Sequence, residues 1–219
     1  MIKLFIYFTQ NNKVVLNLPR GFNDTQKELI RAQLIDKGKV LFTNLGLKKT
    51  SIEDLTKAVG IAQGSFYNFF SSKEELYFEI LELEEALIKS SLIEGSNCLK
   101  GTPQEILKAF LTSLFELVEN NVFMKRMHME NEMEILIRKL PSEKFINHKK
   151  NDFIDFLPLI EKWIKDGIIV DKSPEIISGL IRSVLTISFH KNQLGVETYN
   201  QSIKLLIDML SESLTRKEL

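Results

Sequence analysis

Cysteine, proline and glycine are scarce in this sequence, which has one, five and ten of them in 219 residues. The single cysteine, Cys98, excludes an intrachain disulfide and has no partner at a metal-ligand spacing, so we expect a small buried residue in a reducing compartment. Helix-breaking residues are few, and apolar residues recur mainly three and four positions apart. The body of the chain is therefore predicted to be almost entirely helical.

Long apolar runs are also missing from the sequence. None approaches the roughly 20 residues that a membrane-spanning helix needs, and the apolar stretch in the opening MIKLFIYF is too short for a secretion signal. We therefore expect a cytoplasmic protein with no membrane partner. The 29 basic residues equal the 29 acidic ones, so the net charge neither demands nor excludes a nucleic-acid partner.

Residues 1–22 differ in pattern from the rest of the chain. IKLFIYF and VVLNL are β-prone runs separated by the turn-like TQNNK, but two strands alone are only marginally stable in water. The segment is compatible with a docked hairpin, with a disordered arm, or with an upstream stretch added by a wrong start codon. We treat it as an amino-terminal extension and assign it no function.

A first helix is predicted from residue 23 onward. Asn23 and Gln26 have the spacing of a helix cap. Gly38 lies on the apolar stripe of this helix and lowers its stability, so we expect close packing against a crossing helix at that point. The stripe consists of Ile30, Leu34, Ile35, Leu41, Phe42 and Leu45.

Two short helices joined by a glycine turn follow the first helix. Thr50-Ser51-Ile52-Glu53 has the spacing of a capping box, and Gly60 supplies a left-handed stop after Val59. The segment QGSFYNFF comes after the turn, and Ser72-Lys73-Glu74-Glu75 has the spacing of another capping box, which opens a long helix to about Glu94. This order of elements is that of a helix-turn-helix.

Further helices are predicted beyond Gly101. Capping patterns and prolines mark their ends. The predicted boundaries are a start at 102–105, a methionine-rich helix from Val122 to Leu140, a stretch that ends at 166–167 with Pro158 as a kink or internal start, a start at 173–175, and a last helix over roughly 198–214.

Between Gly38 and Leu76 several features stand at fixed spacing: Leu41-Phe42, Gly46, Thr50-Ser51, Gly60, Gly64-Ser65, Tyr67, Phe70 and Lys73-Glu74. In these features the chain resembles the TetR family of transcriptional regulators. With the first helix included, the resemblance covers about 50 residues. The rest of the chain is similar to the family in being an apolar helical array with the phrase DGIIVDKSPEIISGLI near the final pair of helices.

The resemblance implies an all-α fold with a helix-turn-helix DNA-binding domain at 23–75 and a larger helical domain for ligand binding and dimerisation at 76–219. It implies a homodimer that binds a palindromic operator in double-stranded DNA and regulates transcription, commonly as a repressor. A small apolar effector is expected to release the DNA. No enzymatic activity and no cofactor are expected.

The side chains around the recognition segment suit contact with DNA. Gln63 can pair with an adenine edge, Gly64 permits close approach, and Ser65 can reach a base or a phosphate. Lys73 opposes the helix macrodipole at the start of the long helix, a conflict that a bound phosphate would remove. The predicted DNA contacts are Lys48, Lys49, Thr50, Ser51, Gln63, Gly64, Ser65, Tyr67, Asn68 and Lys73.

Two residues depart from the family pattern. Ala62 stands where a serine usually caps the recognition helix, and Phe69 stands where histidine or tyrosine is usual, so each removes a possible polar contact. The alternative hypothesis is therefore a helical adaptor protein that kept the fold without specific DNA binding. An enzyme has less support, because the sequence shows no glycine-rich phosphate loop, no nucleophile elbow and no cluster of catalytic side chains at working spacing.

Methionine and aromatic side chains are frequent in the second half of the chain. They suit a cavity for apolar molecules, and they also suit ordinary core packing. The candidate ligand contacts are Phe110, Met124, Met127, Phe156 and Trp163. The three histidines show no metal-ligand spacing, and we expect Glu130, Glu132 and Glu134 on solvated faces.

The last two helices carry more apolar surface than a helix at the edge of a monomer needs. Two such pairs meeting about a twofold axis would form a four-helix interface. The predicted interface residues are Ile176, Leu180, Val184, Ile187, Ile203, Leu206 and Leu210.

Overall fold

The computed structural model describes residues 23–129, 132–146, 148, 156–188 and 195–215, and within these ranges all regular structure is helical. The expected all-α fold is confirmed, and the predicted extension at 1–22 lies outside the described residues. No helix in the described ranges is long and apolar enough to cross a membrane. The helices are α1 (Asp24–Lys49), α2 (Ile52–Val59), a 3-10 helix (Gln63–Asn68), α3 (Lys73–Ser96), α4 (Pro103–Asn120), α5 (Val122–Met129), α6 (Glu132–Lys139), α7 (Leu157–Lys165), α8 (Pro174–Ser188) and α9 (Val196–Thr215).

Local capping explains where several helices begin and end. The backbone N–H of Gln26 donates to Asn23 Oδ1 (2.8 Å), and the N–H of Asn23 donates to Gln26 Oε1 (3.0 Å), as the sequence predicted. The box before α2 lies one residue later than predicted, with Ser51 as the cap and Asp54 as its partner. Gly60 follows α2 with a φ of 78°, which confirms the left-handed stop.

α1 and α3 cross closely at Gly38. A Cβ atom at this position would lie 3.1 Å from Leu76 Cδ2 and 3.3 Å from Ile80 Cδ1. The close packing expected there is confirmed. Below the crossing, the rings of Phe42 and Tyr77 meet edge to face with centroids 5.0 Å apart.

α3 runs from the helix-turn-helix to Ser96, and α4 packs against both α3 and α9. Pro158 lies in the first turn of α7, so it is an internal start rather than a kink. Cys98 follows α3 and is exposed. The expectation that it is buried is wrong, because the chain has left α3 at this residue and no helix of the described ranges covers it.

Candidate nucleic-acid interface and effector cavity

The recognition segment is a 3-10 helix held by aromatic packing. Its N-cap is Ala62, which provides no side-chain hydrogen bond to the helix. Phe66 is fully buried, and its ring lies 5.9 Å from that of Phe70. The guanidinium group of Arg31 in turn lies over the Phe70 ring at 5.1 Å. Phe66 therefore anchors the segment in the core, and Phe70, just after it, contacts α1 through Arg31, while Gln63, Gly64, Tyr67 and Asn68 remain exposed.

Four of the predicted DNA contacts line one concave surface, whose hollow has a volume of about 330 Å³. They are Ser51, Gln63, Tyr67 and Lys73. The other lining residues are Ile52, Ser71, Ser72 and Glu74. Tyr67 is 58% exposed. Of the other predicted contacts, Lys48, Lys49, Gly64 and Asn68 are exposed and Ser65 is half-buried.

Two predicted contacts have other partners in the structure. Thr50 is fully buried, and its hydroxyl donates to the carbonyl oxygen of Gly46 at 2.8 Å, so its side chain is not available to DNA. The Lys73 ammonium donates to the carbonyl oxygens of Leu47 (2.7 Å), Lys48 (3.3 Å) and Thr50 (2.7 Å). These carbonyls form the negative end of α1. Their negative charge can therefore offset the unfavourable position of the Lys73 cation at the amino-terminal end of α3, as a bound phosphate also could.

Ser72 caps α3 by accepting from the N–H of Glu75, but the Glu75 carboxylate does not return to Ser72 as the predicted capping box requires. It accepts instead from Lys144 Nζ (2.6 Å) and from the N–H (2.7 Å) and hydroxyl (2.6 Å) of Ser71. These bonds, that from Lys144 first, lower the pKa of Glu75 to about 2. The ion pair joins the helix-turn-helix to the helical stretch at 142–146.

A mainly apolar cavity of about 550 Å³ lies among α3, α4, α5, α6, α8 and the helical stretch at 142–146. Three of the predicted ligand contacts, Met124, Met127 and Phe156, line it. Phe110 and Trp163 do not line it. Their rings meet edge to face with centroids 4.9 Å apart, and Phe110 meets the Phe156 ring edge to face at 6.1 Å. The other lining residues are Glu85, Ile88, Lys89, Leu114, Val118, Met133, Ile137, Ser142, Phe145, Ile146, His148, Ser178, Ile181, Arg182 and Leu185.

The predicted interface residues differ in how far the monomer buries them. Ile176 and Leu180 are exposed by 60% and 38%, and Leu206 and Leu210 are half-buried. Val184 and Ile203 are buried within the monomer, so they offer little surface to a second copy, and their place in an interface stays a prediction. The side chain of Ile187 lies outside the part of the chain that the structure describes.

The register of α9 explains this difference. Its buried residues include Tyr199, Ile203 and Ile207, and the helix packs on α4. The exposed apolar side chains of α9 therefore include Leu205 and Met209, which are 60% and 57% exposed.

Sequence reasoning missed a buried polar contact between the two halves of the chain. Glu132, expected on a solvated face, is only 1% exposed. It accepts from the N–H of Leu47 (2.6 Å) and from the Tyr77 hydroxyl (2.5 Å). Glu134 is exposed as expected, and Glu130 lies outside the described residues. The one local sign of this contact was Gly46, which leaves space for the Glu132 carboxylate. Glu132 lies 86 positions later in the chain, so the sequence near Gly46 does not reveal it.

Residues 34–80 match the family described as bacterial regulatory proteins, tetR family. The chain is 31% identical over 86 residues to the HTH-type transcriptional regulator AcrR of Shigella flexneri, with 39% of this chain and 40% of AcrR covered. It is 28% identical over 142 residues to the HTH-type transcriptional repressor KstR2 of Rhodococcus jostii, with 63% and 66% covered. The chain thus spans less than two thirds of the length of either relative.

Among solved structures, the chain is similar to a TetR-family transcriptional regulator from Pectobacterium atrosepticum. The TM-score is 0.68 at 18% sequence identity, and the match covers 90% of this chain and 100% of the other. At this identity the likeness shows the fold, and it extends the similarity well beyond the helix-turn-helix.

Proposed function

We propose that this chain, whose residues 34–80 match the bacterial regulatory proteins of the tetR family, is a ligand-responsive transcriptional repressor of that family. Its homodimer binds a palindromic operator in double-stranded DNA. Binding of a small, mainly apolar effector in the cavity releases the homodimer from this operator. The observation that carries this proposal is the concave surface lined by Ser51, Gln63 and Tyr67.

This surface offers both kinds of group that DNA binding requires. Gln63 can read a base edge through its amide, while hydroxyl groups and the exposed Lys48 and Lys49 suit phosphates. Gly64 adds a further argument. No atom lies within 4 Å of the position where its Cβ would be, and its φ is not in the left-handed region, so the fold itself does not require glycine there. A glycine that leaves the outer surface clear is useful for the close approach of DNA.

The cavity supports a small effector. Its volume of about 550 Å³ lies within the ~300–1,000 Å³ typical of small-molecule sites. Met124, Met127 and Met133 contribute flexible side chains that adapt to varied apolar shapes.

Exposed apolar side chains on α8 and α9 support the homodimer. Ile176, Leu180, Leu205 and Met209 are each at least 38% exposed. Cover by a second copy about a twofold axis would remove this apolar surface from water. The same axis would place two recognition segments about 34 Å apart, which matches successive major grooves on one face of DNA.

The proposal is tested by a fluorescence-anisotropy titration of labelled DNA from upstream of the protein's own gene against random DNA of equal length. We expect the upstream DNA to bind about 1,000-fold or more tightly than the random DNA. The variant Gln63→Ala should lose part of this difference. Gln104→Ala, which changes an exposed glutamine on α4, serves as the matched control.

The adaptor hypothesis is the second candidate, and the absence of a side-chain cap on the 3-10 helix after Ala62 favours it. An uncapped, short recognition element holds its contacts less firmly than a capped α-helix. Equal binding of upstream and random DNA by the wild type would support the adaptor and contradict the repressor.

A further inference from the structure

A buried junction connects the helix-turn-helix to the helices that line the cavity. It consists of Gly46, Leu47, Tyr77, Arg126 and Glu132, and we refer to it as the Glu132 junction. The carboxylate of Glu132 accepts from the Leu47 N–H and the Tyr77 hydroxyl, while Arg126 Nη1 donates to the carbonyl oxygens of Thr43 (3.0 Å) and Asn44 (3.1 Å).

The junction fills a break in α1. Gly46 interrupts the helix with φ 83° and ψ 165°, a conformation that favours glycine. In a continuous α-helix the Leu47 N–H would donate to the carbonyl of Thr43. Glu132 and Arg126 reach these two backbone groups from the other half of the chain. A Cβ atom at Gly46 would lie 2.8 Å from Glu132 Oε1, so the carboxylate occupies the space that a side chain would need.

The segment held by Glu132 leads directly to the proposed DNA-contacting surface. Leu47 is followed by the exposed Lys48 and Lys49 and then by Ser51, which lines the concave surface. The Leu47 carbonyl is also held by Lys73. The position of this segment is therefore set at Leu47 from two sides, by Lys73 within the helix-turn-helix and by Glu132 from outside it.

The cavity adjoins the same junction through neighbouring residues. Arg126 precedes Met127 on α5, and Glu132 precedes Met133 on α6. Both methionines line the cavity. A molecule that displaces Met127 or Met133 therefore acts on the backbone that carries Arg126 or Glu132.

We propose that Glu132 is a positioning residue for DNA binding, through which an occupant of the cavity weakens the hold on residues 47–51. The inference rests on the proposed function for its consequence on DNA, but the coupling itself is a property of the protein alone. Binding of an apolar molecule draws the carboxylate away from Leu47. Leu47, which leads into the Lys48–Ser51 segment, then loses one of the two contacts that hold it, and the contact from Lys73 remains.

The test is hydrogen–deuterium exchange of backbone amides at 44–51, with and without anilinonaphthalene sulfonate as the cavity probe. In the wild type, the dye should increase the exchange rate of this segment several-fold. In Glu132→Ala the rate should already be high, and the dye should still bind without increasing it further. Glu132→Gln retains an oxygen that can accept from Leu47, so it should keep the slow exchange of the wild type. Glu134→Ala, an exposed change on the same helix, is the control.

Exchange that is insensitive to the dye in the wild type, or that rises equally in the wild type and in Glu132→Ala, would overturn the proposal. If Glu132→Ala does not fold, Tyr77→Phe removes one of the two bonds to the carboxylate and should give an intermediate exchange rate. An exchange rate equal to that of the wild type in Tyr77→Phe would then count against the junction.

DNA binding by the same variants is measured separately. Glu132→Ala should bind operator DNA about tenfold more weakly than Glu132→Gln, within the usual range of coupling between sites. If the wild type shows no specific DNA binding, the proposed function fails, whereas the exchange result on the protein alone still decides the coupling.

Discussion

The Nζ atom of Lys73 lies 2.7 Å from the carbonyl oxygen of Leu47, so the cation at the start of α3 closes the carboxyl end of α1. With the bonds to Lys48 and Thr50, all three N–H donors of the ammonium group are used. Lys73 therefore stabilises the helix-turn-helix before any DNA is present, which the sequence pattern alone did not indicate.

Lys73→Met should lower the free energy of unfolding, because it removes charge-assisted hydrogen bonds to carbonyls. The expected loss is about 1.5–3 kcal/mol, measured by urea denaturation. Lys49→Met is the control, since this lysine is exposed. It should leave stability within about 0.5 kcal/mol while lowering the salt dependence of DNA binding. Equal stability of the two variants would show that the Lys73 bonds contribute nothing in solution.

Gln63→Ala should reduce discrimination between operators rather than overall affinity. Its side chain lines the concave surface, where the amide can pair with one base, and its loss should cost about 1–3 kcal/mol at one position of each half-site. The measurement is a set of titrations with single-base operator variants. A uniform loss on all operators would remove Gln63 from the residues that read bases.

Acid should weaken the contact between Glu75 and Lys144. Because the folded-state pKa of Glu75 is lowered to about 2 from 4.5, this carboxylate contributes stability that is fully present above pH 4.5. The contribution is lost as the pH falls toward 2. Urea denaturation across this pH window should show a smaller decrease for Lys144→Met than for the wild type, since Lys144 is the largest cause of the shift. Identical pH profiles would contradict the ion pair.

Leu180→Arg and Leu205→Arg should produce monomers. Both residues are exposed, by 38% and 60%, so the substitutions need not disturb the monomer core but would place a charge in the proposed interface. Light scattering gives the mass, and circular dichroism should show unchanged helix content. Leu29→Arg is the matched control, because Leu29 is 59% exposed on α1. Variants that remain dimeric would place the interface elsewhere.

Leu114→Trp should reduce binding of anilinonaphthalene sulfonate. Leu114 lines the cavity, and the larger indole fills part of the space that an apolar molecule needs. Fluorescence titration of the dye measures the change. The control is Leu117→Trp, on an exposed position of the same helix, which should bind dye as the wild type does. Equal binding by both variants would show that the dye occupies another site.

Much of the local structure was determined by the sequence. The Asn23 and Gln26 cap, the stop at Gly60 and the start of α4 at Pro103 depend on residues within four positions of one another. The sequence also predicted the close crossing at Gly38. A glycine on an apolar helical stripe lowers helix stability, and this cost is offset when a second helix packs closely against it. These features follow from short-range hydrogen bonding and helical periodicity, which a sequence displays directly.

Only the tertiary structure decided which side chains of a helix face the core and which charged residues are buried. Ile203 and Leu205 are equally apolar in the sequence, yet contact with α4 buries the first and leaves the second exposed. Glu132 and Glu134 are likewise indistinguishable by type, but Leu47 and Tyr77 provide the donors that make burial of Glu132 favourable. Burial of a carboxylate depends on donors brought from distant parts of the chain, and no local pattern encodes where they meet.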